Sequence, residues 1–134
     1  MLDIFRRRRI QVGCLQEVRR RNNDVEMLDG YKMFWAGNEE GTSGVAVAVV
    51  EEWVEKIVGV QRRGDSIILV KIRCGGKILN VISAYAPQVG RTQADKERFW
   101  DNMVDLVSQI PDNEGVMVGG DLNGHVGKEM GVYI

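Results

Sequence analysis

An α/β protein, with mixed β-sheets overlaid by helices, is the fold class this sequence predicts, on three observations. Apolar runs of strand length recur between turn signals: Ile10 to Leu15, Tyr31 to Ala36, Gly44 to Val50, Ile67 to Arg73, Lys77 to Tyr85 and Val116 to Val118. One of these, Val45 to Val50, alternates Val and Ala and has no polar face, so it belongs inside a layered structure covered on both sides. A helical stripe of Phe99, Met103, Leu106 and Ile110 stands between the last two runs. The coarse order of a helix, six strands, a helix and a strand favours a mixed sheet over simple βαβ alternation.

Each element has a local cause. Met1 to Arg9 reads as the tail of an amphipathic helix whose beginning is absent, with Leu2 and Phe5 on one side and then arginines at 6 to 9. The first strand ends at Gln16-Glu17, and Arg19 to Asp24 reads as a polar exit. Glu51 to Gly64, carrying Trp53, Ile57, Val58 and Val60, fits a turn and a strand. Gly75-Gly76 is a two-residue hairpin signal, because both turn positions tolerate positive φ. Pro87 closes the preceding strand, since it cannot donate to a ladder. Thr92 followed by Asp95 caps the second helix, and Pro111 stops it. Trp35, Trp53 and Trp100 are expected in the core, as is Cys14 within the first strand.

Composition narrows the function. The 134 residues suit one domain. A formal net charge of −1 excludes a protein held to nucleic acid by bulk charge, while leaving room for a local basic patch. No apolar stretch approaches the ~20 residues of a membrane helix, so no membrane partner is expected. Cys14 and Cys74 form no C-x-x-C and suit a reducing compartment, nuclear or cytoplasmic, where both stay free.

The chemistry concentrates at strand ends. Glu17, Tyr85 and Asp121 each follow an apolar run, with Asn123 two residues further on. A carboxylate just past a strand is held rigidly without being buried, and several such edges brought together make oxygen ligands for a hard cation such as Mg²⁺. The glycines around Asp121 would let a phosphate approach the backbone. Two competing motifs fail on residues. A P-loop ending in Gly127-Lys128 has Leu122 in place of its first glycine and Glu129 in place of its Ser or Thr. An EF-hand from Asp121 has Val126 in place of its glycine and Val132 in place of its bidentate Glu. Of the basic runs, Arg19 to Arg21 is the better candidate for a phosphate backbone, because it follows Glu17.

Leu15-Gln16-Glu17, Ser83-Ala84-Tyr85-Ala86-Pro87 and Gly119-Gly120-Asp121-Leu122-Asn123 stand in the order and contexts of a known superfamily. The chain resembles the endonuclease/exonuclease/phosphatase superfamily, whose members include DNase I-like nucleases, along essentially its whole length. The Phe99-Trp100 helix and the Gly124-His125-Val126-Gly127 continuation are similar to the branch of LINE-type retrotransposon endonucleases and craniofacial development protein 2-like proteins. The resemblance implies part of a DNase I-like four-layer sandwich of mixed β-sheets flanked by helices. It also implies that residues 1–134 form a partial domain, without the family's first strand and its C-terminal segment.

What the resemblance implies for chemistry is specific. Glu17 matches the acidic metal ligand, for Mg²⁺ or Mn²⁺. Tyr85 matches the tyrosine that approaches the scissile phosphate, Asp121 the acid that activates or orients water, and Asn123 the amide that steadies it. His125 does not match the family's phosphate-binding histidine. The implied function is Mg²⁺-dependent phosphodiester hydrolysis, as a nicking endonuclease contacting the DNA phosphate backbone. Its rivals are an inactive retrotransposon-derived remnant, kept as a binding or structural module or as a non-functional fragment, and, more weakly, an inositol-lipid phosphatase.

Overall fold

The computed structural model describes residues 2–86, 92–121 and 128–133. Two sheets carry the fold. The first contains β1 (Val12–Gln16), β2 (Asn23–Leu28), β3 (Tyr31–Ala36) and β4 (Val45–Val50), in the spatial order β1-β4-β3-β2 and antiparallel throughout. The second contains β5 (Ile57–Arg63), β6 (Ile67–Cys74), β7 (Lys77–Tyr85), β8 (Gly115–Asp121) and β9 (Lys128–Tyr133), in sequence order. Only the β7–β8 pair is parallel among these strands, because helix α2 (Gln93–Ser108) carries the chain back across the sheet.

β4 shows why the two sheets stack. Its Val45, Val47 and Val49 join Phe34 and Ala36 against Ile68, Val70, Ile72 and Val81 of the second sheet. Its other face is small. Ala46 meets Val18, Met33 and Trp35, and Ala48 meets Leu2 and Tyr31, so short side chains let the covering segments come close. The short helix α1 (Asp3–Arg7) lies over that face, with Leu2 buried and Phe5 edge-on to Tyr31 at 5.8 Å. On the far side, Phe99, Met103 and Leu106 of α2 cover Ile67, Leu69, Ile82 and Ala84. The layers therefore run helix, sheet, sheet, helix, which is the fold class expected.

α2 begins as anticipated, with the Thr92 hydroxyl accepting from the Asp95 amide at 3.1 Å. The hairpin at Gly75-Gly76 also forms. Three expectations need correction. Residues read as a polar exit run into β2, an edge strand paired along its length with β3 and exposed nearly throughout. Its solvent-facing residues hide any alternation, but Asp29-Gly30 before the aromatic β3 was a readable hairpin signal. Trp100 is 40% exposed instead of core. It sits one residue past the buried stripe, about 100° around the helix, and stands edge-on to Phe99. β9 arises in a glycine-rich stretch where no strand was expected. Pro87 lies outside the described residues. Among the described residues, no helix is long and apolar enough to cross a membrane.

The end of the second sheet remote from Tyr85 is pinned by a charged clamp. Buried Asn80 donates to Glu114 Oε1 at 2.9 Å and to the Gly115 carbonyl at 3.1 Å, while Lys71 pairs with the same Glu114 oxygen. Hydrogen bonds from Asn80 and Lys71 hold the Glu114 carboxyl below its ordinary 4.5. A depressed carboxyl contributes stability above its unfolded pKa and loses it as pH falls through the folded one. Denaturant midpoints should therefore drop on acidification below 4.5, and drop less in Glu114→Gln. Equal acid sensitivity of the two proteins would exclude the clamp as the cause.

Candidate active site

Three strand ends meet at one edge of the sandwich. β1 stops at Gln16, and Glu17 turns the chain with φ +54°, a left-handed conformation costing about 1–2 kcal/mol for a residue with a Cβ. Burial of Val18 holds that turn, together with its amide donating to the Gly44 carbonyl at 3.2 Å. The exposed Glu17 is thereby presented to a cleft of about 490 Å³. Replacing a left-handed residue with glycine relieves the Cβ strain at some entropic cost. Glu17→Gly should thus raise stability by about 0.5–1 kcal/mol while removing the carboxylate. A lowered melting temperature would show that the turn is not strained.

Tyr85, the last residue of β7, lines the same cleft, and its amide donates to the Ser66 carbonyl at 2.9 Å. Asp121, the last residue of β8, is the register partner of Tyr85, and its carbonyl accepts the Ala86 amide at 2.8 Å. Two glycines permit this approach. Gly120 has φ +156°, and a Cβ there would stand 1.9 Å from the Ala84 carbonyl oxygen. A Cβ on Gly119 would stand 2.8 Å from Cys14 Cβ, across the gap between sheets. The structure therefore brings Glu17 and Tyr85 into one cleft with Asp121 on the adjoining strand. Asn123 and His125 lie outside the described residues.

A polar network borders the cleft. Asn38 Nδ2 donates to Thr42 Oγ1 at 3.0 Å, Ser43 Oγ at 2.9 Å and Asp65 Oδ2 at 3.3 Å, and Ser43 Oγ also bonds Asp65. This ties the 37–44 loop to the β5–β6 turn. Also lining the cleft, Arg63 pairs with Asp105 at 3.2 Å and Arg98 with Asp95 at 3.5 Å. Of the arginines expected to meet phosphate, Arg20 is committed to Glu26 at 3.0 Å and to the Trp35 ring. Arg19 and Arg21 are exposed and make no ion pair among the described residues.

Burial pushes the Cys14 thiol up to about 12, which rules out thiolate chemistry at neutral pH. Among the described residues no three His, Cys, Asp or Glu side chains gather to hold a metal. The donor set nevertheless suits Mg²⁺ or Mn²⁺, because such ions bind through one or two carboxylates plus water and substrate phosphate. Glu17 offers one carboxylate at an open cleft, which fits that mode of binding.

The fold is a two-sheet α/β sandwich flanked by helices, with carboxylate residues at the ends of β1 and β8. The chain belongs to the Endonuclease/Exonuclease/phosphatase family, whose model matches residues 1–128. Phosphodiester hydrolysis is the chemistry this family supports, and its members generally use divalent metal ions. Among solved structures, the chain is similar to the endonuclease domain of TRAS1, a telomere-specific non-LTR retrotransposon. That match has 20% identity and a TM-score of 0.59, over 90% of this chain and 50% of that one. It is also similar to D. rerio TDP2 complexed with single-strand DNA product, at 12% identity and TM-score 0.66, over 91% and 51%. The human Nocturnin catalytic domain with bound sulfate matches at 17% identity and TM-score 0.61, over 96% and 56%. At these identities the likeness shows the fold alone, and the chain spans about half of each structure's length. No curated protein sequence matches the chain.

Sequence reasoning missed Asn38, Ser43, Asp65 and the arginines Arg63 and Arg98. A polar Asn-x-x-x-Thr-Ser loop is an ordinary solvent loop until a distant turn is folded against it. Only Ser83, a hydroxyl inside an apolar strand, carried a local signal.

Proposed function

We propose that this chain serves Mg²⁺-dependent hydrolysis of DNA phosphodiesters, as part of a nicking endonuclease of the retrotransposon type. The supporting observation is the sharing of one cleft by Glu17 and Tyr85, with Asp121 in register beside Tyr85. Glu17 would hold the divalent ion, Mg²⁺ or Mn²⁺. That ion would supply stabilisation of the charge that builds on phosphate oxygens. Tyr85 directs its phenol toward the phosphate as a hydrogen-bond donor. Asp121 accepts the proton of, or orients, the attacking water, and Asn123 steadies that carboxylate. The DNA backbone is the partner, and its phosphates carry no base information, so the cleft selects geometry before sequence. Residues 1–134 act as a partial domain in this reading, in keeping with the half-length matches.

The test is nicking of supercoiled plasmid in Mg²⁺ by the chain joined to the flanking segments of its reading frame. Nicking that disappears in Asp121→Ala and Glu17→Gln supports the proposal. A folded, inactive extended protein supports the remnant reading instead.

A further inference from the structure

A hydroxyl buried in an apolar sandwich is unfavourable unless it is hydrogen-bonded. Among the described residues the fully buried polar side chains are Asn80, whose amide nitrogen donates into the Glu114 clamp, and Ser83. Ser83 spends both its hydrogen-bonding capacities across the sheets. Its Oγ donates to the Leu15 carbonyl at 2.8 Å and accepts from Gln16 Nε2 at 3.2 Å. Leu15 and Gln16 are the two residues before Glu17. Ser83 lies two residues before Tyr85, and alternate residues of a strand share a face, so Ser83 and Tyr85 both meet the gap between sheets. The register partner of Ser83 is Gly119, two residues before Asp121, and Gly119 abuts Cys14 of β1. Each chemical group is thus held one strand repeat beyond a cross-sheet contact.

We infer that Ser83 and Gln16 form a positioning pair that sets the Glu17 carboxylate in place relative to Tyr85 and Asp121. The inference rests on the reading of those three residues as one site. The pair touches no substrate. It converts two strands from different sheets, 67 and 68 residues apart at these contacts, into one rigid frame. Partners behind a metal ligand commonly change metal affinity or activity by about 10–100-fold when removed.

Hydrogen exchange followed by NMR tests this on the chain itself, in Ser83→Ala, Gln16→Met and the double variant. The Val18 amide, bonded to the Gly44 carbonyl beside Glu17, should exchange about tenfold faster in each single variant. The Val70 and Val81 amides in the second sheet should be unchanged, and the double variant should add little to either single one. Millimolar Mn²⁺ should broaden Glu17 and Tyr85 together in the parent protein, with the Tyr85 share falling in the variants. Uniform acceleration across both sheets, or an unchanged Val18, would overturn the inference. An absence of broadening at Glu17 in the parent would instead reject Glu17 as the metal ligand, while exchange at Val18 still decides the positioning pair.

Discussion

Asp121→Ala should abolish plasmid nicking by the chain in its full reading frame while leaving the fold intact. A carboxylate that takes a proton from, or orients, the attacking water typically contributes about 10²–10⁴-fold, and groups acting as a unit lose more together than singly. The β7–β8 pairing should survive because the ladder and the Ala86 amide bond to Asp121 run through the backbone, which alanine retains. The 134-residue chain alone is expected to nick no faster than its own Asp121→Ala variant. Losing one preorganised donor already costs about 10²–10³ in rate, and this chain spans about half of the related structures. Gel densitometry of relaxed plasmid against time measures all four proteins. Nicking by the short chain that vanishes with Asp121→Ala would show that residues 1–134 suffice.

Among the described glycines, Gly120→Ala should be the most damaging substitution. The new Cβ would meet the Ala84 carbonyl oxygen at 1.9 Å, in a backbone conformation that alanine rarely adopts. Backbone atoms cannot step aside as a flexible side chain can, so β8 would have to leave β7 where Tyr85 and Asp121 pair. Overpacking costs about 1–3 kcal/mol and backbone strain about as much again. The sum, about 2–6 kcal/mol, is a large fraction of the stability of an ordinary domain. Thermal melts followed by circular dichroism should show a much lower midpoint or no cooperative transition. A midpoint indistinguishable from that of the parent would mean that β8 does not approach β7 as described.

Local pattern carried the parts of this fold that depend on local chemistry. The Val/Ala alternation of β4 announced a strand covered on both faces, and each face now has its own layer. The Phe99, Met103, Leu106 stripe and the Thr92 cap set the helix that makes β7 and β8 parallel. Glu17 and Tyr85 were legible because strand ends are readable and a rim is where such ends converge. What stayed hidden depends on distant partners. β2 is polar because it is an edge, so periodicity could not separate it from a loop. Trp100 looks like core by residue type, and only its angular place on α2 exposes it. The bonds from Ser83 to β1 and from Asn38 to Asp65 span 67 and 27 residues, beyond any window of local pattern.

Whether Glu17 holds the divalent ion is tested most directly by an Mn²⁺ relaxation titration of the chain and its Glu17→Gln variant, with Mg²⁺ as competitor. A single carboxylate without substrate phosphate binds such ions weakly, so binding should saturate only at millimolar concentration or above. Mg²⁺ should displace it, and Glu17→Gln should remove it. Binding of equal strength in the parent and in Glu17→Gln would contradict the account, because the ion would then sit somewhere other than the end of β1.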